Sequence, residues 1–177
     1  MKFSAKSLSL AKLKKIKFTE PTSWNSPKID GVYLKQLKVN LDGRGDLTEI
    51  WSEQWSETEP IAKEVKHIYF NTTNEGVAKG WHVSEKIYSQ YTCLMGKMQV
   101  VLADVREGSS TFGFVDKFMI GTKNPSFIMI PPGILKAWKS IQGDSIIVNL
   151  LTSANKEDNF RYPWDSILTE IWEPKNG

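Results

Sequence analysis

At 177 residues and 20.1 kDa, with 40% hydrophobic and 24% charged residues, the chain is long enough to bury roughly 70% of its unfolded surface as one domain, without disulfide or metal support. The net charge of +3 is too modest to impose a nucleic-acid or membrane-surface role, and no apolar run approaches the ~20 residues of a membrane-spanning helix. A single cysteine, Cys93, excludes an intramolecular disulfide and a cysteine metal cluster, and no apolar leader precedes a small-residue cleavage site, so a cytoplasmic protein is expected.

Lys2, Lys6, Lys12, Lys14, Lys15 and Lys17 concentrate positive charge in the first segment, where Leu8, Leu10, Leu13 and Ile16 roughly share one side of a helix predicted over 7–17. No interleaving of aromatics marks this segment as a nucleic-acid surface, so residues 1–30 are read as a solvated basic extension and 31–177 as the folded domain. From Gly31 onward, short runs rich in Val, Ile, Tyr, Phe and Thr alternate with Gly, Asn, Asp and Pro clusters. They predict strands at 32–39, 47–51, 65–72, 76–82, 87–95, 98–106, 114–120, 127–130 and 145–151, and one more starting near Lys136.

Between those strands, Asp42–Gly45 reads as a turn, Leu94–Lys97 as a hairpin, and Pro131-Pro-Gly133 as a strand terminator. About ten strands in this rhythm predict an all-β fold, an antiparallel double-sheet jelly roll with short flanking helices. The tail over 159–177 carries Phe160, Tyr162, Trp164, Ile167, Ile171 and Trp172, enough apolar area to fold back on the domain, with a short helix or turn near Asp165.

Four segments carry further information. They are Asp42-Gly-Arg-Gly-Asp-Leu-Thr-Glu49, Gly76-Val-Ala-Lys-Gly-Trp-His82, Asp104-Val-Arg-Glu-Gly-Ser-Ser-Thr-Phe-Gly113, and Ile130-Pro-Pro-Gly133 followed by Arg161-Tyr-Pro-Trp-Asp165. In this order, over about two thirds of the chain, they resemble the motifs of the dTDP-4-dehydrorhamnose 3,5-epimerase family. The resemblance implies a cupin-like jelly roll and removal of a proton beside the C4 ketone of a nucleotide-linked 4-keto-6-deoxyhexose, with no metal and no organic cofactor. It also implies a homodimer, in which an early strand carrying Arg44 extends into the neighbour's pocket.

Taking a proton from a carbon beside a ketone leaves an enolate, so such a site needs a base near neutral pKa and a positive or hydrogen-bonding group at the developing oxygen charge. By the resemblance His82 is the base and Asp165 the carboxylate that orients it. Arg44 and Lys79, the latter in the place of an arginine, are candidates for phosphate or ketone-oxygen contacts. Glu49 and Gln90 match positions that face nucleotide or sugar, and His67 takes the place of a glutamine. The Asp104–Gly113 stretch is read as structural.

Three departures fall on groups that move protons or stabilise charge. Asn149 stands where the family has its acid tyrosine, Thr92 where it has a lysine, and Lys136 where it has a histidine. Tyr69, Tyr88 and Tyr91 can each supply a hydroxyl near the pocket strands. An epimerase or isomerase of nucleotide sugars is the main expectation, with a noncatalytic module binding a nucleotide sugar or glycan as the alternative. A metal-dependent cupin oxygenase or isomerase is disfavoured, because His67 and His82 are the only histidines and form no His-x-His pair.

Overall fold

The computed structural model describes residues 3–19, 21, 23–58 and 61–173, so Lys2 and the last four residues of the predicted tail lie outside the described residues. Ten strands form the body: β1 (Tyr33–Gln36), β2 (Val39–Asp42), β3 (Gly45–Thr48), β4 (His67–Thr73), β5 (Ala78–Val83), β6 (Ser89–Asp104), β7 (Val115–Gly121), β8 (Ser126–Ile130), β9 (Ile134–Leu151) and β10 (Phe160–Arg161). Their pairings are antiparallel, and the expected double-sheet jelly roll is the fold the chain adopts.

Two long strands make both sheets. The first half of β6 pairs β8 and the second half of β9, whereas its second half pairs β7 and the first half of β9. One sheet therefore runs β1-β8-β6-β9-β4 and the other β7-β6-β9-β5-β10, with β6 and β9 bending together from one into the other. Register shifts at Cys93/Met95, Met95/Lys97 and Lys97/Met98 mark the bend, as bulges do where strands change sheet. The predicted hairpin at Leu94–Lys97 is thus corrected to a bend within one strand. Gly96, at φ +79, allows it by close approach: a Cβ there would stand 2.5 Å from the Asp144 carbonyl oxygen.

Between the sheets lies a core of Tyr91, Met98, Val100, Leu102, Phe118, Ile128, Ile130, Ile134 and Trp138, each nearly or fully buried, every such side chain contributing about 1.5–3 kcal/mol. The strand β8 is apolar or small throughout and buried on both faces, since Phe127 and Met129 meet Ile50, Trp51 and Trp55 outside the sheet. That outer cover includes α2 (Trp55–Thr58), one helical turn.

The first and last described segments cover the second sheet. Leu13, fully buried, packs with Trp81, Val101, Leu135, Ala137, Ile167 and Trp172, flanked by Phe3, Leu8, Ile16, Phe18 and Phe160. The first segment, expected to be solvated, buries Ala5 and Leu13 and half-buries Phe3, Leu8, Leu10, Ile16 and Phe18, while Lys6, Lys12, Lys14, Lys15 and Lys17 face water with its serines. The helix predicted over 7–17 contracts to one turn, α1 (Leu10–Leu13), capped by the Ser9 hydroxyl accepting from the Lys12 N–H at 3.2 Å. The strand expected over 32–39 is also broken, because Leu37 turns inward to Phe127 and Met129 between β1 and β2.

Candidate active site

A cavity of about 710 Å³ opens between the two sheets, away from the bend. One wall belongs to the first sheet, with His67, Tyr69 and Asn71 on β4, Ser89 and Tyr91 on β6, and Asn149 and Leu151 on β9. The other belongs to the second sheet, with Lys79, Gly80 and His82 on β5, Lys136 and Trp138 on β9, and Arg161 on β10. The connection after β9 adds Ser153 to Lys156, Asp158 and Asn159 to the rim.

Strict alternation would send Lys79 and His82 to opposite faces of β5. A register shift between them brings both to the cavity while Trp81 points outward into the terminal cluster. Gly80 makes this possible at φ +130, where a Cβ would lie 2.5 Å from that of Ala137.

His82 stacks on Trp138 with ring centroids 5.6 Å apart and faces Lys136 and Arg161 as cross-strand partners. Burial first, then the positive charges of Lys136 and Arg161, push its pKa down to about 4, against the hydrogen bond to the Asn159 side chain. The imidazole is therefore neutral at pH 7 and able to accept a proton, but its pKa lies well below the near-neutral value expected of the base from the sequence, because the site buries it beside two cations. Burial also pushes the Lys136 ammonium down to about 8, with the Asp158 charge acting the other way, so Lys136 remains mostly cationic at pH 7. Asp158 is fixed by accepting the N–H groups of Glu85, Lys86 and Ile87 at 2.6, 2.9 and 3.1 Å.

On the opposite wall Tyr69, Asn149 and Tyr91 stand in one cross-strand row. The Asn149 Nδ2 donates to the Tyr69 hydroxyl at 2.8 Å, leaving Asn149 Oδ1 buried without a partner, as is the Ser89 Oγ. Buried polar atoms are normally paired, so the two free atoms mark positions where a ligand can bond.

Of the residues singled out in the sequence, His82, His67, Lys79, Lys136 and Asn149 come together here. Four do not. Asp165 is exposed and off the cavity, and Asn159 takes the place beside His82 expected for it. Gln90 is fully buried, its amide spent on Lys63 N–H and C=O and on the Leu150 carbonyl. Arg44 reaches into solvent from the β2–β3 hairpin, paired only to Asp42, and Glu49 accepts from the Trp55 indole. Lys79 donates to the Thr72 carbonyl, tying β5 to β4.

Arg161, Trp138, Asp158 and Asn159 were not singled out. Only Arg161 carried a signal, as the first residue of the last matched segment. Among the described residues the lining holds four cations, Lys79, Lys136, Lys156 and Arg161, and one carboxylate, Asp158, a balance that suits an anionic ligand.

A sequence profile for the family described as dTDP-4-dehydrorhamnose 3,5-epimerase matches residues 26–174. A probable low-salt glycan biosynthesis epimerase, Agl13, of Haloferax volcanii is 34% identical over 78% of this chain and 90% of its own. The spore coat polysaccharide biosynthesis protein SpsL of Bacillus subtilis is 29% identical over 77% of this chain and 91% of its own. The crystal structure of dTDP-4-dehydrorhamnose 3,5-epimerase from Elizabethkingia anophelis superimposes with a TM-score of 0.73 at 20% identity, covering 86% of this chain and 87% of that one, and shows the same fold.

Proposed function

The chain belongs to the dTDP-4-dehydrorhamnose 3,5-epimerase family, and on that premise we propose that it epimerises or isomerises a nucleotide-linked 4-keto-6-deoxyhexose in the cytoplasm without a cofactor. The observation that carries this reading is a neutral imidazole, His82, set beside the buried cation Lys136 in a cation-rich cavity. The diphosphate of the substrate meets Arg161, Lys79 and Lys156. His82 takes the proton from the carbon beside the ketone, and Lys136 stabilises the oxygen charge that develops.

NMR-detected deuterium incorporation from D₂O into a panel of nucleotide-linked 4-keto-6-deoxy sugars tests this, with His82→Asn in parallel. The unaltered protein exchanges at C3 or C5, and His82→Asn loses at least ~100-fold of that rate while keeping its fold and most of its affinity. Binding across the panel with no exchange would instead support a noncatalytic module, the reading favoured by the absence of a described carboxylate hydrogen-bonded to His82 and by Asn149 in place of a tyrosine.

The working form is proposed to be a homodimer. Val39, Leu41 and Leu47 on the β2–β3 hairpin are 43%, 78% and 64% exposed, and Ile68 and Phe70 on the outer face of β4 are 60% and 66% exposed. A two-stranded hairpin with its apolar side chains in water is marginal alone, and a second copy would cover them and bring Arg44 toward its cavity. A monomer by light scattering at micromolar concentration would count against this assembly.

A further inference from the structure

Inverting a carbon requires a proton taken from one face and another delivered to the opposite face. The cavity has its neutral imidazole on the second sheet, so a donor for the other face must stand on the first. Of the side chains on that wall, Ser89, Asn71 and Asn149 hold no proton acidic enough to give near neutrality. Burial, reinforced by Tyr69, pushes the Tyr91 phenol well above its ordinary value. His67 sits nearer the end of β4, paired with Leu151, its ring 5.6 Å from that of Tyr69.

Tyr69 differs from these. It is 37% exposed on the cavity side of β4, opposite Asn149 in register. Its hydroxyl accepts from the Asn149 amide, which leaves its own proton free for a third group. The same amide hydrogen stabilises the phenolate that remains once the proton has gone. Asn149 cannot serve as the acid itself, yet its position on the neighbouring strand aims a phenol at the same wall.

We propose that Tyr69 is the proton donor to the sugar face opposite His82, with Asn149 as its positioning residue and the free Asn149 Oδ1 as acceptor for a substrate hydroxyl. This rests on the epimerase reading above. In the first step the carbon's C–H bond breaks, its proton passes to His82, and the electron pair moves onto the ketone oxygen. In the second the enolate pair returns to carbon and forms a C–H bond with the Tyr69 proton, leaving a phenolate. Solvent then takes the proton from the His82 imidazolium and returns one to Tyr69, so the net reaction is inversion alone.

The test follows exchange and configuration together in D₂O for the full chain, Tyr69→Phe and Asn149→Leu, with thermal denaturation as the folding control. Tyr69→Phe is expected to keep His82-dependent exchange within about threefold while inversion falls at least ~100-fold. Asn149→Leu is expected to raise the ratio of exchange to inversion at least ~10-fold, whereas a merely structural role would lower both together. Unimpaired inversion by Tyr69→Phe, or equal loss of exchange and inversion in a folded variant, overturns the proposal. Exchange without inversion by the unaltered chain overturns it while leaving the His82 reading intact, and no exchange at all overturns both.

Discussion

The Asp104 loop and the cavity both bury ionisable groups, but only one of them has used up its hydrogen-bonding capacity. Asp104 is fully buried and accepts from Arg106 Nε and Nη2 at 2.9 and 2.7 Å, from the Arg106 backbone, and from the Ser109 and Thr111 hydroxyls at 2.8 and 2.7 Å. In the cavity, Asn149 Oδ1 and Ser89 Oγ have no partner, and burial lowers the Lys136 pKa against the opposing charge of Asp158. Both stretches resemble family motifs. Saturation separates a segment that shapes a loop from one that awaits a ligand.

The largest effect is expected at Asp104. Asp104→Leu strands the Arg106 guanidinium, with an expected loss of about 3–5 kcal/mol, or roughly 10 °C in Tm, while exchange per folded molecule is preserved. A loss of exchange with unchanged Tm would reverse the roles assigned to the two regions. Burial alone would raise the Asp104 pKa, but the bonds from Arg106, Thr111 and Ser109 bring it below the ordinary value. Its contribution is therefore complete above about pH 4 and is lost as pH falls through the depressed folded pKa.

Next in size is Lys136→Met, expected to lower exchange at pH 7 by about 100-fold, as for loss of a group that stabilises an oxyanion. With His82 as base and Lys136 as oxyanion partner, as proposed, the pH–rate profile of the unaltered protein is expected to rise as His82 loses its proton near 4 and to fall as Lys136 loses its own near 8. The variant loses the upper limb, and its lower limb moves up because one of the charges depressing His82 is gone. A profile with both limbs unmoved would remove Lys136 from the chemistry. Gly80→Ala, measured by Tm and by ligand binding together, is expected to lower both, since its Cβ would meet the backbone of Ala137 at 2.7 Å in a conformation unsuited to L side chains.

The smallest effect is expected at Asp158, which shares features of both regions. Its carboxylate is occupied by three backbone N–H groups, yet it lines the cavity and its charge supports the Lys136 cation. Asp158→Asn is expected to cost about 1–3 kcal/mol in denaturant titration. It also moves the upper limb of the pH profile downward, because the lysine loses its attracting charge.

Periodicity and turn chemistry made most strands legible, as at 114–120 and 127–130, where local sequence and final pairing agree. They misjudged Leu94–Lys97 because a glycine at positive φ looks alike in a hairpin and in a bend, and only the partner strand β9 decides between them. The site was legible where chemistry sits on a strand, as with His82, Lys79, Lys136, His67 and Asn149. Asp158 and Asn159 were hidden because they lie in the irregular connection after β9, reached only once β10 pairs β5 and sets Arg161 beside His82. Gln90 and Asp165 show the converse, since matching a family position did not bring either side chain to the cavity.

The shared bend of β6 and β9 makes the two walls arms of one lever. Lys136 and Asn149 each sit about six residues from it, roughly 20 Å along a strand, so one degree of opening displaces each side chain by about a third of an ångström. Proton transfer tolerates errors of about half an ångström. A substitution at Gly96, whose Cβ would meet the Asp144 carbonyl oxygen at 2.5 Å, is therefore expected to alter the spacing of the two walls without touching the cavity lining.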